Sequence, residues 1–237
     1  MNDFITLFGL TFAAGLAMPL GAFLASIEKL KSKIFEAELN HSIMAFGGGA
    51  LLSAVAFVLV PYGIYRLDPL IASSCLIVGG FMFMILDIYL LKLKTPASLL
   101  VAMLIDFIPE SIALGTAFAF GSRDAVLLAA LITLQNIPEG FNAYRDLSRS
   151  SDISSKNIIA LFFLMAFMGP IAGISSYLWL QDQPIAVAVI VLVASGGILY
   201  SVFQDIAPQV KLEKHWMPPM GAVLGFALGM VGLMVIT

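Results

Sequence analysis

At 237 residues, 60% of them hydrophobic and only 11% charged, the chain is far more apolar than a soluble domain, which is roughly 45–50% apolar and about 25% charged. Its mean hydropathy of +1.01 points the same way, so a soluble enzyme or soluble binding module is excluded and an all-α integral membrane protein is expected. The net charge of -3 implies no particular partner, and no basic cluster exceeds Lys29, Lys31 and Lys33, so nothing resembles a nucleic-acid footprint.

The N-terminal Met-Asn-Asp lacks the basic region and cleavage site of a secretory signal, so the first apolar stretch is expected to stay as a span. About 20 apolar residues cross a bilayer as a helix. By that measure eight spans are predicted, at 4–27, 41–65, 69–91, 97–120, 124–146, 157–180, 184–206 and 217–236. The fifth is the weakest, because its second half carries Asn142, Tyr144 and Arg145. No linker or composition shift divides the chain, so 1–237 reads as a single polytopic membrane domain. The lone cysteine, Cys75, excludes an intramolecular disulfide and a Cys-rich metal site, and reads as a small buried hydrophobe.

Ten of the twelve basic residues fall in the loops after spans one, three, five and seven: Lys29, Lys31, Lys33, Lys92, Lys94, Arg145, Arg149, Lys156, Lys211 and Lys214. The positive-inside rule makes that side cytoplasmic. Both termini then lie outside, as an even number of spans requires. The expected location is the cell membrane (the inner membrane in a Gram-negative cell).

An inverted repeat is also suggested. Gly48-Gly49-Ala50-Leu51-Leu52-Ser53 in span two resembles Gly196-Gly197-Ile198-Leu199-Tyr200-Ser201 in span seven. A proline follows each run, Pro61 and Pro208, one residue out of register. The two spans start on opposite sides, which is the pattern of inverted-repeat transporters. Small residues also recur in packed membrane helices for packing alone, so the repeat and simple packing both account for the similarity.

The chemistry concentrates in two short runs. Asp106-Phe107-Ile108-Pro109-Glu110 lies in span four and Gln135-Asn136-Ile137-Pro138-Glu139 in span five. An ionisable group inside hydrocarbon costs at least ~2.5–3.5 kcal/mol on insertion scales, so it is a functional-site hypothesis by default. Residues at i and i+4 share a helix face, which aligns Asp106 with Glu110 and Gln135 with Glu139. Each proline offers no N–H, so the carbonyls of Ile105 and Leu134 lose their helical donor and must be satisfied by protein, water or a ligand. If the faces meet, three carboxylates, one amide and freed carbonyl oxygens converge. Such a cluster does not stay fully ionised without a counter-ion. A divalent cation resolves the conflict, and protons are the natural substitute when it leaves.

These turns resemble the metal-binding turns of the ZIP (Zrt/Irt-like) family of divalent-metal transporters. Its fourth span typically reads His-Asn-x-Pro-Glu-Gly, and its fifth His- or Gln-Asn/Asp-x-Pro-Glu-Gly. Gln135-Asn136-Ile137-Pro138-Glu139-Gly140 fits the second pattern throughout, whereas Asp106-Phe107-Ile108-Pro109-Glu110-Ser111 keeps only the Pro and Glu of the first. The resemblance implies a three-two-three arrangement of eight helices, alternating access by sliding of one helix group against the other, and a homodimer. It also implies that Asp106, Glu110, Gln135 and Glu139 ligate the metal, with Asn136 in support. The family's second site maps to Phe107, Asn136 and Gly169, of which only Asn136 can ligate, so a binuclear site is expected to be lost. The family's His-rich loop between spans three and four is also absent. Oxygen ligands suit Mn²⁺ or Fe²⁺ better than imidazole or thiolate sites do, so a broader or harder-metal selectivity than in a His-containing homologue is expected.

The expected function is therefore a secondary transporter moving divalent metal ions of the Zn²⁺, Fe²⁺ and Mn²⁺ class into the cytoplasm, with the metal as cargo and no prosthetic group. The alternative is a non-transporting metal-binding membrane protein or an organic-cation carrier on the same fold. No nucleophile–base pair or HExxH-type motif suggests an enzyme. His41 and His215 could relay a departing ion but read more simply as interfacial histidines. Asp205 is the best candidate gate, with Asp87 and Gln204 near the same span ends. Asp3, Asp68, Asp124 and Asp182 would enrich cations weakly on the outer side. Met18, Met44, Met103, Met165 and Met168 read as packing residues, and Gly121, Gly169 and Gly173 as sites of close helix contact.

Overall fold

The computed structural model describes the backbone of residues 2–27, 33–93, 96–120, 122–180, 182–210 and 216–236, and their side chains except at 2, 33–37, 91, 93, 96–98, 120, 122–124, 209 and 236. The side chains of Lys29, Lys31, Lys33, Lys94, Arg123, Asp124, Lys211, Lys214 and His215, and Gly121 itself, lie outside the described residues.

The described chain is helical almost throughout, in eight long stretches. These are α1 (Asn2–Ile27), α2 (Lys33–Ala54, running on to Ile64), α3 (Pro69–Leu93), α4 (Pro96–Phe120), α5 (Ser122–Ser150), α6 (Ser155–Ala166 and Met168–Leu180), α7 (Pro184–Ser201, running on to Val210) and α8 (Met217–Ile236). Prolines open α3, α4 and α7, where the missing N–H costs nothing because it would have no partner. The Ser154 side chain caps α6 by accepting from the Asn157 N–H at 3.4 Å. Phe167 interrupts α6 just before Pro170, whose ring cannot continue the hydrogen-bond ladder.

Seven of these stretches are long and apolar enough to cross a membrane, from Asp3–Ile27 to Met217–Val235. Their bounds fall within a few residues of the sequence-predicted spans. The eighth, α5, is one unbroken helix of 29 residues but does not meet that measure. Gln135, Asn136, Glu139, Asn142, Arg145 and Asp146 make its second half too polar. It is nevertheless packed inside the bundle, against α1, α2 and α4. Gln135 and Asn136 are buried in protein there, which is the condition under which a membrane tolerates polar groups.

Both α2 and α7 contain a wide, π-type turn, at Val55–Leu59 and Val202–Ile206. In each, the residue just before a proline bonds five residues back: the Val60 N–H to the Val55 carbonyl, and the Ala207 N–H to the Val202 carbonyl. Pro61 and Pro208 explain the widening. A proline ring collides with the carbonyl four residues behind it, and a turn with one extra residue moves that carbonyl away. The proline and the wide turn thus travel together, which carries the one-residue register shift seen in sequence into the backbone.

The closest helix pairs are α2 with α8, α3 with α7, α1 with α5, and α4 with the second half of α6. Lipid offers no hydrophobic drive for helices to associate, so close backbone approach supplies the packing. A methyl group on Gly196 of α7 would run into the Leu76 carbonyl of α3, and one on Gly140 of α5 into the Met18 carbonyl of α1. Thr116 and Ser176 tie α4 to α6 through hydroxyls 2.7 Å apart, and Ser176 also donates to the Ile112 carbonyl at 2.9 Å. Met18, Met103 and Met165 lie in the apolar core. The outward faces of α3 and α8 are apolar and exposed, for example at Ile77, Phe81, Ile85, Val223 and Met234, as suits a surface turned to acyl chains.

Candidate functional site

The prolines of the two motif turns do not break their helices: Pro109 lies inside α4 and Pro138 inside α5. Glu110 and Gln135 meet directly. The Gln135 Nε2 donates to both carboxylate oxygens of Glu110, at 3.0 and 2.9 Å, and to the Asn136 Oδ1 at 2.7 Å. Glu110 and Gln135 are 3% and 5% exposed. Asp106 and Glu139, one turn away on the same faces, are half-buried. The Ser201 hydroxyl of α7 donates to the Asp106 Oδ1 at 3.2 Å.

All four side chains line one cavity of about 540 Å³ between α2, α3, α4, α5 and α7. The cavity is one-sided. Its inner end is bounded by Leu51, Glu110, Gln135 and Ile198. Its other end reaches Met44, Asp87, Leu90, Leu99, Asp146 and Ile206, in the halves of their helices that end at Lys33, Leu93, Pro96, Ser150 and Val210. Lys92 and Arg149 lie in the last turns of two of these helices.

Polar groups mark the whole route. On α5, Gln135, Glu139, Asn142 and Asp146 succeed each other at spacings of four, three and four and all face the cavity, forming one helical stripe. Ser201 and Asp205 of α7 add a second, shorter stripe. Asp87 of α3 also lines the cavity and accepts from the Tyr200 hydroxyl at 3.1 Å. Asp205 and Asp87 thus both line the cavity, whereas Gln204 is exposed and is not among the lining residues. His41 does not line the cavity. The sequence reading did not single out Asn142, Asp146 or Ser201 as site residues. The first two continue the face of Gln135 and Glu139, so that signal was available. Ser201 carried none, because its role depends on where α7 crosses α4.

Asn136 does not line the cavity. It is fully buried, and its Nδ2 donates to the Ala14 carbonyl of α1 at 3.0 Å. Phe107, at the equivalent position of the other turn, is also buried, with its ring against α1 and α6. A Cβ on Gly169 would lie 2.7 Å from the Phe107 Cζ, and one on Gly15 3.0 Å from it. Three positions that the sequence reading grouped as a lost second site therefore do converge on α1, two of them as a ring on a glycine. Apolar packing occupies the space.

Among the described residues, no three His, Cys, Asp or Glu side chains are gathered closely enough to hold a metal ion by themselves. The physical reason is visible in the contacts. Glu110 already spends both oxygens on an amide donor, and the carboxylates are spread along the cavity instead of gathered at one point.

Fold and cavity define a multi-pass helical membrane protein with an internal cavity whose largely apolar wall carries a few acidic and amide side chains. Comparison with protein-family models finds no match, and comparison with curated proteins finds none either.

Proposed function

We propose that this protein is a secondary transporter for divalent metal ions, with the cargo held by Asp106, Glu110, Gln135 and Glu139. The observation that carries the reading is the cavity itself. Two spans project one amide and three carboxylates into its inner half, and further acidic and amide groups continue from there to one surface. Intramembrane carboxylates lining a cavity mark ion pathways far more often than structural sites. Carriage of a metal requires these side chains to draw together from the positions they now occupy. The resemblance of the two turns to those of the ZIP family supports the same reading.

Within this proposal α5 is the eighth span, both termini are outside, and the cavity faces the cytoplasm of a cell with the protein in its plasma or inner membrane. The helix pairing supports an inverted repeat. Exchanging α1 with α6, α2 with α7, α3 with α8 and α4 with α5 maps the close pairs onto one another: α2–α8 onto α7–α3, and α1–α5 onto α6–α4. The wide turns in α2 and α7 obey the same exchange. The three-two-three grouping, sliding between helix groups and a homodimer belong to the proposal as well. So do exchange of protons for metal and a preference that admits Mn²⁺ and Fe²⁺ beside Zn²⁺.

One observation favours a second reading. A cavity of about 540 Å³ lies within the ~300–1,000 Å³ range of small-molecule sites, so an organic cation is the competing cargo. Reconstitution in liposomes decides between them. Saturable uptake of Mn²⁺, Fe²⁺, Zn²⁺ or Cd²⁺ that is lost in a Glu110→Ala, Glu139→Ala double variant supports metal transport. No metal flux from well-folded protein removes that reading in favour of the organic-cation or non-transporting one.

A further inference from the structure

The orientation of the Gln135 amide is dictated from α1, through Asn136. A backbone carbonyl can only accept a hydrogen bond, so at Ala14 the Asn136 side chain must present its Nδ2. That choice turns the Asn136 Oδ1 toward Gln135, which must answer with its own Nε2. The same Nε2 carries a second hydrogen, and both oxygens of Glu110 receive it. The chain from the Ala14 carbonyl to the Glu110 carboxylate therefore has a single consistent polarity. Its members are buried, and Asn136 is fully so, which makes each bond costly to leave unmade.

A metal ion needs the opposite face of Gln135. An amide ligates through its oxygen, because the NH₂ group has no lone pair free for a hard cation. With Nε2 on Glu110, Gln135 offers a cation the wrong atom and also covers the two oxygens the cation would use. Loading the site thus requires Gln135 to turn over. Turning breaks its bond to Asn136 and its bonds to Glu110 together.

We infer that Asn136 is a positioning residue that holds Gln135 as a latch over Glu110, anchored on the Ala14 carbonyl of α1, and that metal binding must release this latch. The inference rests on the metal-transport reading and adds a regulatory element to the same site. It also assigns Asn136 a role opposite to that of a ligand. A ligand strengthens binding by being present, whereas a latch weakens binding by stabilising the arrangement that excludes the ion. Because the latch ends on α1, any shift of α1 against α5 changes the affinity of the site. Cargo release and helix movement are thereby coupled.

The sign of one measurement separates the roles. Cd²⁺ alone is titrated calorimetrically into the detergent-solubilised wild type and into Asn136→Ala. A latch predicts tighter binding in the variant, by roughly three- to tenfold, the effect of one hydrogen bond. Unchanged or weaker binding by the variant, with Cd²⁺ still bound by the wild type, overturns the latch alone. No Cd²⁺ binding by the wild type overturns the latch and the transport reading together. A second measurement needs no variant at the buried position. The five glutamines are labelled with ¹⁵N in the side chain, and Gln135→Glu identifies the Gln135 signal by its loss. In the wild type, Cd²⁺ should shift the Gln135 NH₂ signal from hydrogen-bonded toward free-amide values. A Gln135 signal that stays fixed while Cd²⁺ binds overturns the latch.

Discussion

The turns at 106–110 and 135–139 share a Pro-Glu step and one helical phase, yet their second residues hold α1 by different means. Both second residues leave the cavity and press on the same stretch of α1. Phe107 does so as a ring whose tip meets both Gly15 and Gly169, and Asn136 does so through a hydrogen bond to Ala14. The first residues diverge as well. Asp106 accepts from Ser201 of α7, whereas Gln135 donates to Glu110 of the other turn. One turn is therefore wedged in place by apolar packing, with Asp106 turned to α7 and Glu110 covered by the Gln135 amide. The other is wired by amides and governs what its neighbour's carboxylate can reach. Similar local sequence sets the helix phase, and the partner helix decides the chemistry.

The strongest way to break this comparison is to remove what the turns share. Glu110→Ala with Glu139→Ala is expected to reduce metal flux to that of protein-free liposomes, since it leaves Asp106 as the one carboxylate of the two turns. Residual saturable flux in a folded double variant would place the cargo elsewhere. Asp106→Asn tests the next contribution. It keeps the side-chain shape and an acceptor for Ser201 while deleting one charge, so apparent affinity for Mn²⁺ should fall about ten- to a hundredfold, read as KM in uptake. An unchanged KM would remove Asp106 from the ligand set.

The apolar wedge predicts an effect on stability instead. Phe107→Ala empties the space between Gly15 and Gly169 and should cost on the order of 3 kcal/mol, seen as a lower thermal midpoint in detergent. KM for the metal should stay within about threefold, because one neutral packing contact does not enter the ligand set. A large KM change with an unchanged midpoint would contradict the division of labour. The smallest effect is expected at Ser201→Ala, where loss of one long hydrogen bond to a carboxylate that stays in place should change KM about two- to fivefold. A simultaneous collapse of flux would instead make Ser201 a ligand.

Much of this was legible before any coordinates. Seven apolar spans, their approximate ends and the two carboxylate-bearing turns follow from hydropathy and from the cost of burying charge, whereas α5 is too polar to be read as a span by hydropathy alone. The i, i+4 rule aligned Asp106 with Glu110 and Gln135 with Glu139, and it would have extended the α5 face to Asn142 and Asp146. The repeated Gly-Gly run with its trailing proline reads as a repeat, and the wide turns of α2 and α7 that go with those prolines were not foreseen.

Other features needed the tertiary arrangement. Periodicity along α5 says that Gln135 and Asn136 occupy adjacent faces, but not that one meets Glu110 and the other the Ala14 carbonyl. Those contacts depend on where α1 and α4 cross α5, which glycine-mediated approaches such as Gly140 on Met18 determine. The same holds for Ser201 beside Asp106 and for the Phe107 ring against Gly15 and Gly169. Local sequence determines helices and their faces because the governing forces act within a turn or two. Which faces meet, and so which amide covers which carboxylate, is decided between helices, by packing that no single stretch of sequence contains.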